Sequence, residues 1–418
     1  MPGKGQPKNM KKTESVFRTL GRVLLLCLCM ALLAGGALAN EVVDISTDGF
    51  DCLYYECTLP DGRLIFAGDM GTVGNYADSR GRLLCMNPDM TVSWDYVDPE
   101  EGGCRFWHAT VLKDGTIATV LDNSPYQQPT GRKLKFFTQD GQPTGKEIVF
   151  SDIESNVDEA TPSFLWILAM PEGGGIYDRL YDWEGNLILQ FEGGNNMISG
   201  SQVMIEEEDG LVLAGSEPGI RSCPQIMKLD FQGNQIWETV LPLSLEGTEE
   251  GWLTAVTKAD DGGYLGLLYE TGSHDTNGLT KTCGYAVVKF SANGRLLWRN
   301  TTAFDGRPDL WVGSFVRYNG KLVAEIDEFS DNDHSVSKPR TFLWMDEEGN
   351  ELGTTELVLQ KEELPRLASQ KNARRIGSFG LFSAENGLWG VATFEAENRD
   401  HMKQMDSMDD VFVKIPEL

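Results

Sequence analysis

Residues 228–237 read KLDFQGNQIW, and 61 residues further on the chain reads KFSANGRLLW at 289–298. The same phrase returns as LYDWEGNLIL at 180–189 and WMDEEGNELG at 344–353, with looser copies FFTQDGQPTG at 136–145 and CMNPDMTVSW at 85–94. Each copy has apolar residues, then a cluster of Asp, Asn, Gln or Gly, then apolar residues again. A glycine behind an acid or amide marks a hairpin turn, because glycine adopts positive φ at little steric cost. Six β-hairpins are therefore expected, starting at 85, 136, 180, 228, 289 and 344. A seventh begins at FVKI (412–415), which matches VVKF (287–290).

A second turn signal alternates with the first. It runs LPDGRLIF around Gly62, LKDGTIAT around Gly115, MPEGGGIY around Gly174, EEDGLVLA around Gly210, ADDGGYLG around Gly262, YNGKLVAE around Gly320 and ENGLWGVA around Gly387. Two hairpins per repeat make a four-stranded unit, and the turn glycines advance by 53, 59, 36, 52, 58 and 67 residues. Four-stranded units at this period are the signature of propeller blades. The chain is expected to be all-β, a seven-bladed β-propeller of antiparallel blades. The short third interval and the long last one leave six or eight blades as alternatives.

The ends bear on closure. The seventh unit has strands flanking Gly387 and a third at 410–415, after which the chain stops, while NEVVDIST (40–47) is an alternating strand without a partner of its own. Pairing the two supplies the missing fourth strand and removes a bare sheet edge.

The stretches ADDGGYLGLLY (259–269), YAVVKFSANGRLLW (285–298) and IMKLDFQGNQIW (226–237) resemble the repeats of secreted bacterial β-propellers, similar in form to quinoprotein-type and tryptophan-aspartate-type repeats. The resemblance is strongest over 205–300. It implies a fold and no activity, since one ring hosts enzymes, receptors and scaffolds.

Residues 1–39 stand apart: Lys4, Lys8, Lys11, Lys12, Arg18 and Arg22 precede the apolar run VLLLCLCMALLAGGALA, which closes on Ala37-Leu38-Ala39. This pattern is a signal peptide cleaved after Ala39, or an uncleaved N-terminal membrane anchor over 23–39. The propeller is then a single domain over 40–418, secreted or displayed on an extracytoplasmic surface. Without that segment 30 basic residues face 62 acidic ones, a balance of −32. Such a surface repels nucleic acid and anionic lipid. Six cysteines remain, Cys52, Cys57, Cys85, Cys104, Cys223 and Cys283. Disulfides are permitted there, with pairing open.

Signatures of chemistry are sparse. The four histidines, His108, His274, His334 and His401, form no HExxH, and neither GxSxG nor a phosphate-binding GxxxxGK[ST] occurs. His108 in CRFWHATVLKDG sits on an expected inner strand, a context that loosely resembles propeller sulfotransferases and their strand-borne catalytic histidine; a packing histidine fits it as well. The loop DEFSDNDHS (Asp327, Asp331, Asp333, His334) offers calcium-type oxygens without the EF-hand glycine and glutamate. No metal and no cofactor is assigned. Trp94, Trp237 and Trp298 share the tenth place of the hairpin phrase, where a packing role on the outer strand is expected.

Counting back eight to ten residues from each turn glycine reaches Tyr54, Trp107, Trp166, Trp252, Trp311 and Phe379, with Gln202 the exception. Aromatics are thus expected near the start of six of the seven first strands, around the channel mouth. Arg105, His108, Arg374 and Arg375 are their polar neighbours. Such a ring can stack on sugars or clasp a peptide, or it can wedge between blades. Three functions are open: a propeller binding a glycan, peptide or surface protein at its mouth; a propeller-type lyase, hydrolase or quinone-dependent oxidoreductase; and a purely structural surface protein.

Overall fold

The computed structural model describes residues 40–45, 47, 50–72, 75–100, 102–122, 132–150, 157–169, 177–192, 199–216, 222–244, 247–274, 280–307, 310–328, 338–359, 373–396 and 408–418. The segment read as a signal or anchor lies outside them.

Among the described residues, alternation and turn chemistry produce 28 strands in seven four-stranded antiparallel sheets. Blade one holds β2 (Phe50–Thr58), β3 (Leu64–Thr72), β4 (Asn75–Met86) and β5 (Val92–Val97); blade two holds β6 (Arg105–Val111), β7 (Ile117–Asp122), β8 (Arg132–Phe137) and β9 (Pro143–Phe150). Blade three is β10 (Val157–Ala160), β11 (Phe164–Ala169), β12 (Tyr177–Asp182) and β13 (Leu187–Glu192), and blade four β14 (Ser199–Glu207), β15 (Gly210–Ser216), β16 (Pro224–Leu229) and β17 (Gln235–Val240). Blade five is β18 (Thr248–Lys258), β19 (Tyr264–His274), β20 (Thr280–Phe290) and β21 (Leu296–Asn300), and blade six β22 (Leu310–Tyr318), β23 (Lys321–Glu328), β24 (Arg340–Met345) and β25 (Glu351–Leu357). Blade seven takes β26 (Ala373–Ala384), β27 (Gly387–Ala396), β28 (Met408–Lys414) and, as its outermost strand, β1 (Val42–Asp44).

The first strands touch in an unbroken circuit, β2 to β6, β10, β14, β18, β22, β26 and back to β2, which makes them the wall of the central channel. Closure follows the expected route: Val42 pairs with Val413 and Asp44 with Val411. The second strands, such as β3, β7 and β15, are buried without alternation because each blade is covered on both faces. In LIFA, Leu64 and Phe66 pack toward blade seven, while Ile65 and Ala67 pack toward blade two.

All six expected outer hairpins form at their expected positions. The doubled phrase is explained by its turn. Asp230 Oδ1 accepts from the backbone N–H of Gln232 at 2.9 Å and Asn234 at 2.8 Å, and Gly233 N–H donates to the Asp230 carbonyl at 3.0 Å. Asp182 and Asp346 repeat this capping in blades three and six. The turn glycine also meets the preceding blade. A methyl group on Gly294, where φ is 75°, would lie 2.2 Å from the Trp237 ring, and one on Gly141 would lie 2.5 Å from Trp94. The two tryptophans are therefore packing residues between outer hairpins, and Trp94 also donates its indole N–H to the Gln139 carbonyl at 2.9 Å. Trp298 is partly buried against the core between blades five and six.

One turn was misplaced. Gly174 does not lie in the first turn of blade three. That turn is Thr161-Pro162-Ser163 between β10 and β11, and Gly174 falls in the connection from β11 to β12, outside the described residues. With Pro162 as the tip, the uneven intervals of 59 and 36 become 47 and 48. The spacing that left six or eight blades open is thereby largely regularised, and the ring has seven.

Candidate binding site at the inner strands

Trp166 follows the misplaced turn. It sits on β11, the second strand, 1% exposed, in the core between blades three and four with Leu180, Leu211 and Met227. It is not a mouth residue. The others stand on first strands as expected: Tyr54 on β2, Trp107 on β6, Trp252 on β18, Trp311 on β22 and Phe379 on β26. The side chains of Phe379, Arg374, Arg375 and Gln202 lie outside the described residues.

The remaining aromatics separate into two stations. At blades one and two the Arg105 guanidinium lies 5.0 Å from the Tyr54 ring centre and 4.4 Å from that of Trp107, so it occupies a face of each. Its Nε is 3.4 Å from Asp69 Oδ1, and Nη2 donates to Cys52 Sγ at 3.3 Å. Trp107 donates its indole N–H to Asp122 at 3.1 Å. Burial pushes Asp69 up to about 6 and the Cys52 thiol up to about 12. Burial works against the charge of Arg105 too, yet Asp69 and Cys52 beside it hold the guanidinium above its ordinary value. On the same two strands, Glu56 Oε2 lies 3.2 Å from His108 Nδ1 and accepts the Ala109 N–H at 3.1 Å. Burial raises Glu56, and His108 draws it back. His108 thus has an ionisable partner, in a contact that also braces blade one to blade two.

The second station is open. Between blades five and six lies a cavity of about 400 Å³, lined by Tyr269, Tyr285, Trp311 and Phe315 with the small residues Thr254 and Gly313. Cross-strand register builds its aromatic side: Trp252 pairs with Tyr269, and Tyr269 with Tyr285. Ring centres are 5.8 Å apart for the stacked first pair and 4.9 Å for the second. Trp311 is 38% exposed. Tyr285 accepts the Val312 N–H at 3.3 Å, which leaves its own hydroxyl proton for a ligand or water.

A bulge between Val312 and Ser314 puts Gly313 on this wall. A methyl group there would come within 2.4 Å of Trp311 Cη2 and 2.6 Å of Glu325 Oε2. Glu325 is 1% exposed. Its Oε1 accepts from Arg340 at 3.2 Å, while Oε2 has no hydrogen-bond partner. Burial pushes its carboxyl up to about 7, Arg340 pulls it down, and Asp327 raises it further. Asp327, the first acid of the calcium-like loop, pairs with Lys338. Asp331, Asp333 and His334 lie outside the described residues. Among the described residues no group of three or more metal-ligating side chains converges.

Sequence reasoning found Trp252 and Trp311 and missed Tyr269, Tyr285, Phe315 and Glu325. The signal for two of them was present: Tyr269 and Tyr285 both fall inside the repeats quoted above, directly across from one another once the hairpin register is drawn.

No family model matches the chain, and no curated protein sequence does. Solved structures do. One is the β-propeller domain of the Trilobed protease of Pyrococcus furiosus, at 12% identity and TM-score 0.44, covering 84% of this chain and 93% of that one. A Dyadobacter fermentans protein described as of unknown function matches at 11% identity and TM-score 0.43, over 90% and 99%. A structure from a study of two prolyl endopeptidases matches at 14% identity and TM-score 0.46, over 88% of this chain and 48% of that one.

Proposed function

We propose that the chain is an exported propeller that binds a ligand or partner, a glycan or a peptide, through the cavity between blades five and six. The observation that carries this reading is the cavity itself: about 400 Å³ walled by four aromatic rings between blades five and six, within the range of small-molecule sites. The station at blades one and two supports it less, because Arg105 already covers faces of Tyr54 and Trp107.

The test is a glycan and peptide array probed with the wild-type protein, Trp311→Ala and Trp107→Ala. Removing one stacking ring costs about 1–3 kcal/mol, so Trp311→Ala should weaken a bound ligand about 5- to 150-fold while Trp107→Ala leaves it nearly unchanged. Binding that survives Trp311→Ala and fails in Trp107→Ala would move the site to blades one and two.

A further inference from the structure

The geometry points to a cationic amine as the ligand of this cavity: we infer that an ammonium group sits against the Tyr269, Tyr285, Trp311 and Phe315 rings, with Glu325 as its counter-charge across Gly313. This rests on the cavity being the binding site and goes beyond that reading by choosing among its ligands.

Three observations converge. The walls are aromatic faces, whose negative quadrupole attracts a cation most strongly where water is excluded. No lysine, arginine or histidine lines the cavity among the described residues, so nothing there repels a positive charge. Glu325, meanwhile, is a buried acid with one carboxylate oxygen left without a partner. Arg340 reaches one of its oxygens at 3.2 Å, the like-charged Asp327 stands on the same strand, and the other oxygen is unpartnered. That oxygen lies behind the single wall position that carries no side chain. Gly313 is needed there, because a methyl group would collide with both Trp311 and Glu325.

A neutral sugar would leave this acid as it stands. An anion would meet it without a compensating cation on the wall. A cation places favourable charge across Gly313 from the unpartnered oxygen, and the net charge of −27 raises the local concentration of cations around the whole molecule. The same ammonium chemistry is carried by small free amines and by the lysine side chain of a peptide.

The test uses isothermal titration of the exported protein at pH 8 with choline, with butylammonium, and with 3,3-dimethyl-1-butanol, the neutral isostere of choline. A lysine peptide and its norleucine counterpart form the second arm. Both cations should bind at least about tenfold more tightly than the neutral isostere, and Glu325→Gln should remove most of that preference. Preference for lysine over norleucine at higher affinity than butylammonium would identify a peptide as the source; the reverse order would identify a small amine. Equal binding of choline and its isostere would overturn the inference while leaving the cavity as an apolar site. A neutral glycan bound there, sensitive to Trp311→Ala with choline inert, would also overturn it and leave the proposed function standing. If no probe binds and Trp311→Ala changes nothing on the arrays, both fall.

Discussion

Glu325→Gln should change how stability depends on pH, and the size of the change follows from the burial of one carboxyl. Burial moves Glu325 from an ordinary 4.5 to about 7. The folded protein therefore holds this proton more tightly than the unfolded chain does. The stabilisation it gives is complete below pH 4.5 and is lost as pH rises through 7. A displacement of that size corresponds to about 3 kcal/mol. With an unfolding entropy of about 2 cal/mol/K per residue over the propeller, this is about 4 °C in Tm. The assay is calorimetric Tm of wild type and variant in steps from pH 4.5 to 8, compared as a difference. Asp69, raised to about 6, also loses stabilisation over this range, and burial raises Glu56 too, but both are common to the two proteins and cancel. The wild type should lose about 4 °C relative to Glu325→Gln between pH 4.5 and 8. Parallel curves would refute the reasoning, since they would mean that Glu325 is solvated or fully paired in the fold.

Two further outcomes follow from packing. Gly262→Ala and Gly294→Ala both place a side chain at positive φ, 80° and 75°, at a cost of about 1–2 kcal/mol; only Gly294 also faces a ring, Trp237 at 2.2 Å. Gly294→Ala should therefore cost about 1–3 kcal/mol more in urea unfolding, and equal costs would show that the two hairpins do not press on one another. Cys57 and Cys85 are both opposite Ile65 on either side of β3, so two strand spacings, about 10 Å, separate them, too far for a disulfide. Burial holds both thiols high, near 12 and 11, and iodoacetamide at pH 8 should label them only after denaturation. Rapid labelling in the folded state would contradict this burial.

What the sequence made legible and what it hid divide along the range of the interactions. The outer hairpins could be placed because each is decided within five residues: in blades three, four and six by an Asp side chain closing on its own turn before a glycine at positive φ, as at Asp230 and Gly233, and in blades two and five by Thr138 and Ser291 in the place of that Asp. The clasp was legible for a similar reason, since a blade short of one strand and an alternating strand without a partner complete each other. Blade three failed where the rule depends on glycine, because its first turn is Thr161-Pro162-Ser163, and a glycine-rich connection farther on carried the same signal. That single displacement moved Trp166 from an expected mouth position into the core.

The cavity was hidden for a different reason. Trp252 lies ten residues before Gly262 and Tyr269 seven after it, and the bulge between Leu253 and Ala255 absorbs part of the asymmetry that conceals their pairing. Glu325 is further from reach: in EIDEF it reads as one more acid of a polar loop, and only the blade places it on a buried strand face beside Arg340. A first strand that carries a bulge beside a glycine, as β22 does at Gly313, brings a residue of the next strand up against its own wall: a methyl group on Gly313 would lie 2.6 Å from Glu325 Oε2. In a propeller the residues that select a ligand can therefore stand one strand behind those that line its site, and no count along a single strand reaches them.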